Sequence, residues 1–136
     1  KVAPYVDGDQ VRWVGNVVGI DRDNLVAGAR ATLFPVCWDE PGGTAVIESL
    51  ALGTPVVGYR RGCLPELVEP GTGLLAEPDN EPELEILLRR IDEIDPAHCR
   101  AVAERRFSPT VMATAYLELY DKCLRNTGRM REIVTV

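Results

Sequence analysis

Two glutamates flank a pair of glycines in the middle of the chain, and residues of these types at this spacing can bind a ligand. Glu40 is followed by Pro41-Gly42-Gly43, and Glu48 comes a few residues later. Proline and adjacent glycines interrupt regular structure, so the pattern predicts a loop. The apolar run from Thr44 to Leu52 then predicts a helix, with Thr44 as its first residue or as its cap.

A glycine loop that leads into a helix is suited to bind an anion. The first N–H groups of a helix have no acceptor within it, and the helix dipole favours negative charge there. Glu48 would lie about one turn into the helix and Glu40 on the other side of the loop, so both can face one ligand. Each also has a simpler interpretation, because the dipole alone favours Glu48 and Glu40 can be a solvated loop acid beside Asp39.

The segments around this loop alternate between predicted strands and helices. Apolar segments predict strands at 11–14, 31–34, 55–59 and 73–76, and helices are expected at 22–28, 44–52 and 64–68. Continuous apolar strands without alternation are typical of a buried parallel sheet. After Pro78 we expect only helices, at 82–94, 96–106 and from Pro109 onward, and then a loose tail over 126–136. The chain is therefore assigned to the α/β class, with a Rossmann-like parallel sheet.

Composition narrows the class of protein further. The 136 residues predict one domain, which we place at residues 1–124, with residues 125–136 as a C-terminal tail. The formal net charge of −6 argues against a broad nucleic-acid surface, and no nucleic-acid partner is expected. No apolar run reaches the roughly 18 residues of a membrane helix. Four scattered cysteines and one histidine predict free thiols, no metal site and a cytoplasmic protein.

The segment from Glu40 to Val57 resembles the E-x7-E signature of retaining, nucleotide-sugar-dependent glycosyltransferases of family 4. The likeness covers roughly residues 11 to 124, and its other motifs are Val11–Val17, Leu33–Pro35, Arg60–Val68, Gly71–Leu75 and Phe107–Pro109. The resemblance implies the GT-B fold, in which this chain would be part of the C-terminal, donor-binding domain.

The resemblance also implies a role for each candidate residue. Glu40, the candidate catalytic residue, would hold hydroxyls of the donor sugar, and Glu48 would accept hydrogen bonds from the ribose hydroxyls. The diphosphate or the sugar would be bound by the backbone N–H groups of Gly42, Gly43, Thr44 and Ala45. Gly15 would lie near the nucleotide base. The donor would be a nucleotide sugar, a UDP-sugar ahead of a GDP- or ADP-sugar, and no metal or other cofactor is implied.

Parts of such an enzyme would be missing from this chain. In the usual strand order of a doubly wound sheet, 3-2-1-4-5-6, the segment 11–14 would be the third strand and 31–34 the fourth. The first two strands, the N-terminal acceptor half and the basic residues that neutralise the diphosphate would then lie outside it. We therefore expect an inactive fragment whose sheet exchanges strands with another copy or chain, or closes in a different order. The acceptor stays unknown, and any membrane association would depend on the missing half.

Two other classes of protein stay open. One is another enzyme of the same fold, such as a nucleotide-sugar epimerase or a phosphorylase. A phosphorylase would need a lysine to bind pyridoxal phosphate, and neither Lys1 nor Lys122, the only lysines, lies in a plausible position. The other is a non-catalytic, doubly wound interaction domain. Such a domain would have no need for Glu40 and Glu48 on either side of a glycine loop.

Overall fold

A three-stranded parallel sheet forms the centre of the domain. The computed structural model describes residues 3–133, and the side chains of residues 3–125. The strands β1 (Thr32–Phe34), β2 (Val56–Tyr59) and β3 (Gly73–Ala76) lie side by side in chain order. Val56 on the central strand is opposite Thr32 on one side and Gly73 on the other. The predicted α/β class and parallel sheet are thus confirmed.

The described part of the chain also forms six α-helices and two short 3₁₀ turns. The helices are α1 (Gly19–Ala27), α2 (Thr44–Ala51), α3 (Leu64–Leu67), α4 (Glu81–Arg89), α5 (Pro96–Phe107) and α6 (Pro109–Ile133), and the turns are Ala3–Tyr5 and Ile91–Glu93. The side chain of Asp95 caps α5 by accepting a hydrogen bond from the N–H of Ala97 at 2.8 Å. Proline follows as the first helical residue, so the predicted start of this helix is confirmed.

Helices cover both faces of the sheet because successive side chains of a strand point to opposite faces. One buried cluster joins Val56 to side chains of α2, α3 and α5, and its other members are Val46, Leu50, Leu64, Val68, Cys99 and Ala103. A second cluster joins Val57 and Tyr59 to α4 and the Ile91 turn, and its other members are Ala76, Leu84 and Ile91. This arrangement leaves the carboxyl ends of the strands, where the glycine loop lies, free to form a site.

The segment 11–14 is not a strand, so this prediction was wrong. Trp13 is 80% exposed. The hydrogen bonds of the segment are local, such as those from the N–H groups of Asp7 and Gly8 to the carbonyl of Val11. A strand needs a paired neighbour and an apolar surface to pack against, and strand-favouring residues alone do not supply them.

The C-terminal helices also differ from the prediction. The helix expected over 82–94 ends at Arg89, and a 3₁₀ turn follows that still buries Ile91. The helix α6 continues to Ile133, where a loose tail was expected, and residues 134–136 lie outside the described part. No proline follows Pro109, and the single Gly128 costs a helix only about 1 kcal/mol. The division into residues 1–124 and 125–136 stays a prediction.

The edge of the sheet at β1 has no further strand among the described residues. The alternative of a sheet that closes in a different order is wrong for the described strands, because they follow chain order. Leu33, in the middle of β1, is 48% exposed. Strand exchange with another copy or chain stays a prediction. Among residues 3–133, no helix is both long and apolar enough to cross a membrane.

Candidate functional site

The loops that follow the three strands meet at one end of the sheet. The N–H of Cys63, after β2, donates a hydrogen bond to the carbonyl of Glu40 in the glycine loop at 2.8 Å. The Arg61 guanidinium donates to the carbonyl of Cys37 at 2.5 Å and forms an ion pair with Asp79, after β3, at 3.2 Å. Arg61 therefore connects all three loops.

The two glycines of the loop, Gly42 and Gly43, differ in whether the backbone and the neighbouring atoms would allow a side chain at their positions. Gly43 is the N-cap of α2 and has a φ of +52°, in the left-handed region that favours glycine. A Cβ atom on Gly43 would lie 2.7 Å from the Sγ atom of Cys63 and 2.8 Å from Cδ1 of Leu67. A Cβ atom on Gly42 would meet nothing within 4 Å. Only Gly43 is thus needed for steric reasons, and an ordinary turn does not account for Gly42.

The start of α2 presents free backbone donors to solvent. The N–H of Val46 donates to the carbonyl of Gly43 at 2.8 Å, but within residues 3–133 the N–H groups of Thr44 and Ala45 have no acceptor. Both residues are exposed, and no side chain caps this helix. Free N–H groups at the positive end of a helix dipole favour a phosphate or another anion.

The Glu40 carboxylate turns back onto its own loop. Its Oε2 atom accepts a hydrogen bond from the indole Nε1 of Trp38 at 3.2 Å, and its Oε1 atom accepts one from the N–H of Gly42 at 3.4 Å. The Trp38 hydrogen bond, followed by that of Gly42, lowers the pKa of Glu40. Glu40 is therefore a carboxylate at neutral pH, and a ligand that binds it must share these donors or displace them.

The Glu48 carboxylate is held by an arginine that the sequence analysis did not find. Nη1 of Arg22, on α1, donates to both carboxylate oxygens of Glu48, at 3.2 and 3.3 Å. Hydrogen bonding to Asp23 and the charge of Glu48 raise the pKa of Arg22. Arg22 lies 26 residues before Glu48 and belongs to no recognisable motif, so no local signal in the sequence could have connected them.

No hydrogen bond or ion pair among the described residues joins Gly15 to the glycine loop. It has a φ of +71°, is exposed, and would meet nothing within 4 Å if it carried a Cβ atom. Its predicted place near a nucleotide base stays a prediction. In residues 3–133 no group of three His, Cys, Asp or Glu side chains is arranged to hold a metal ion.

We expect Trp38→Phe to raise the pKa of Glu40 toward that of an ordinary glutamate, because it removes the strongest stabilising hydrogen bond of the carboxylate. The pKa of Glu40 is lowered in the folded chain, so its contribution to stability is fully present above the unfolded-state pKa and is lost as the pH falls through the folded value. The measurement is a pH titration of the Glu40 carboxyl carbon by NMR. Trp13→Phe is the matched control, and an equal titration in the two variants would contradict the assignment.

These features define a class, an α/β domain in which a helix with free N–H groups starts at the carboxyl ends of the parallel strands. The chain belongs to the family "Glycosyl transferases group 1", whose model matches residues 5–105. Its fold is that of the C-terminal domain of a GT-B glycosyltransferase, as the resemblance implied. Membership of family 4 and a retaining mechanism stay predictions.

A solved structure supports the same assignment. The chain is similar to the crystal structure of AviGT4, a glycosyltransferase involved in avilamycin A biosynthesis, with a TM-score of 0.75 and 31% sequence identity. The match covers 91% of this chain and 39% of that one, so this chain spans well under half the length of AviGT4. A search of curated proteins finds no match.

Proposed function

We propose that this chain is the donor-binding part of a retaining glycosyltransferase, which transfers a sugar from a nucleotide-diphosphate sugar to an acceptor. The observation that carries the proposal is the pair of free N–H groups at Thr44 and Ala45, which start a helix between the carboxylates of Glu40 and Glu48. Phosphate, ribose and sugar hydroxyls are the groups that such donors and acceptors recognise. Membership of a glycosyltransferase family favours transfer over epimerisation or a purely structural role.

The chemistry we propose for the loop follows from the charge that develops during transfer. As the bond between sugar and diphosphate breaks, negative charge grows on the leaving diphosphate. The free N–H groups of Thr44 and Ala45 would face that charge and stabilise it more in the transition state than in the ground state. The N–H groups of Gly42 and Gly43 would join them when the ligand takes the place of the Glu40 carboxylate. Glu40 would hold hydroxyls of the transferred sugar, and Gly15 would lie near the base, for which uracil is our first choice.

We propose further that the acceptor site and the basic residues for the diphosphate belong to a part of the enzyme outside this chain. The match to only 39% of AviGT4 is consistent with this. The isolated chain should then bind nucleotide weakly and show no sugar transfer. Sugar transfer by the isolated chain would contradict this part of the proposal.

The donor site is tested by calorimetric titration of the full-length enzyme with UDP, GDP and ADP. We expect one nucleotide to bind, and Glu48→Ala to weaken it by about 1.5–3 kcal/mol, since hydrogen bonds to a charged group are lost. Glu85→Ala is the matched control, because Glu85 is also a helical glutamate with an arginine partner, Arg89, at 2.6 Å. If no nucleotide binds, or if the two variants bind nucleotide equally well, the results would favour the alternative of a non-catalytic interaction domain.

A further inference from the structure

We infer that Arg22 is a positioning residue that fixes the Glu48 carboxylate for recognition of both ribose hydroxyls, and so sets the preference for ribonucleotides over deoxyribonucleotides. The inference rests on the proposed function, because it assigns Glu48 to the ribose. Arg22 would not touch the ligand itself. It would act on nucleotide binding by fixing the direction in which the two carboxylate oxygens of Glu48 point.

The guanidinium of Arg22 donates hydrogen bonds to two carboxylates, those of Asp23 and Glu48. Its Nε and Nη2 atoms donate to Oδ1 of Asp23 at 3.1 and 2.8 Å. Its Nη1 atom donates to Oε1 and Oε2 of Glu48 at 3.2 and 3.3 Å. A guanidinium is a rigid plane, so Asp23, by holding one edge of it, sets the direction of Nη1. The nearly equal distances to the two oxygens mean that the Glu48 carboxylate faces Arg22 symmetrically.

This geometry leaves an acceptor position for each hydroxyl of a vicinal diol. An ionised carboxylate offers about four lone-pair positions, two on each oxygen. The contacts with Nη1 use one position on each oxygen, and one on each oxygen stays available. The adjacent 2′- and 3′-hydroxyls of a ribose need two such acceptors side by side. Without Arg22, the glutamate would lose side-chain freedom in order to meet both hydroxyls at once, so the hydrogen bond to the 2′-hydroxyl would contribute less and the preference for ribose would fall.

Stabilisation of the fold does not account for Arg22. It is the fourth residue of α1, where the helix dipole disfavours a positive charge. The side chains of Arg22 and Glu48 are each 43% exposed. Ion pairs this exposed contribute about 0–1 kcal/mol to stability. Positioning of Glu48 explains both the partner of Arg22 and the role of Asp23.

The test compares UDP with 2′-deoxy-UDP by calorimetry on the full-length enzyme, or the corresponding pair if GDP or ADP binds better. The wild type should bind the ribonucleotide about tenfold more tightly or better, the value of one lost hydrogen bond to a charged group. Arg22→Gln should reduce this ratio at least threefold, with little change in thermal stability. Arg30→Gln, which removes the exposed ion pair of Arg30 with Asp92, is the matched control and should leave the ratio unchanged.

Two further variants separate the inference from the proposed function. Arg22→Lys keeps the charge but not the planar fork, so it should not restore the ratio, and full restoration would overturn a positioning role. If Glu48→Ala abolishes the preference but Arg22→Gln keeps it, the inference about Arg22 fails and the proposed function stands. If the wild type shows no preference and Glu48→Ala has no effect, the assignment of Glu48 to the ribose itself fails.

Discussion

Gly43→Ala is expected to lower the free energy of unfolding by about 2–5 kcal/mol. Two physical effects act together at this position. A residue with a side chain pays roughly 1–2 kcal/mol for the left-handed conformation, in which Gly43 has a φ of +52°. The new Cβ atom would also lie 2.7 Å from the Sγ atom of Cys63, and overpacking of this kind costs about 1–3 kcal/mol.

The measurement is chemical denaturation, with Gly42→Ala as the control. Gly42 is the neighbouring glycine, has no positive φ, and has nothing within 4 Å of an added Cβ atom. This variant should change stability by less than about 0.5 kcal/mol. The same pair should differ in nucleotide binding, because Gly43→Ala displaces the start of α2 whereas Gly42→Ala leaves it in place. Equal stabilities for the two variants would show that the loop relaxes around Gly43 without cost.

Leu50→Ala is expected to lower the free energy of unfolding by a similar amount, about 2–5 kcal/mol. Leu50 has no exposed surface and packs in the buried cluster that joins α2 to β2 and α5. Truncation removes buried methyl groups and leaves a cavity that the surrounding side chains fill only in part. Because this cluster lies directly beneath α2, we expect the start of that helix to become less well positioned.

Leu117→Ala, on α6, is the control for this substitution. Leu117 is 67% exposed, so the same chemical change should alter stability by less than about 0.5 kcal/mol in the isolated chain. Thermal and urea denaturation of both variants give the comparison. A large loss for Leu117→Ala, or a negligible one for Leu50→Ala, would mean that the assignment of core and surface is wrong.

The elements that local patterns encode were predictable from the sequence. The strand Gly73–Ala76 was predicted with its observed bounds, and the helix at Pro96 was predicted from its Asp95-Pro96 start. The glycine loop and the helix that begins at Thr44 were likewise found, because proline and glycine act on the backbone at their own positions. Parallel pairing followed from the apolar strands and the helices between them.

Features that depend on a distant partner were not predictable in this way. The segment 11–14 has strand-favouring residues, but nothing in the described chain pairs with it. The direction of the Glu40 carboxylate could not be predicted from the sequence either. It is set by hydrogen bonds from Trp38 and Gly42, which compete with any ligand for the carboxylate. The same holds for Arg61, because its contacts with the loops after the other two strands form only in the folded chain.

Residue types and short spacings were enough to assign the class of the domain, its family and the loop that carries the candidate site. Two features of the site became visible only in the folded chain: Gly43 has no room for a side chain, and Arg22 holds Glu48. Both follow from packing between segments far apart in the chain, where α3 meets the loop and α1 meets α2. Such contacts depend on how the elements pack in space, and the sequence gives no local sign of them.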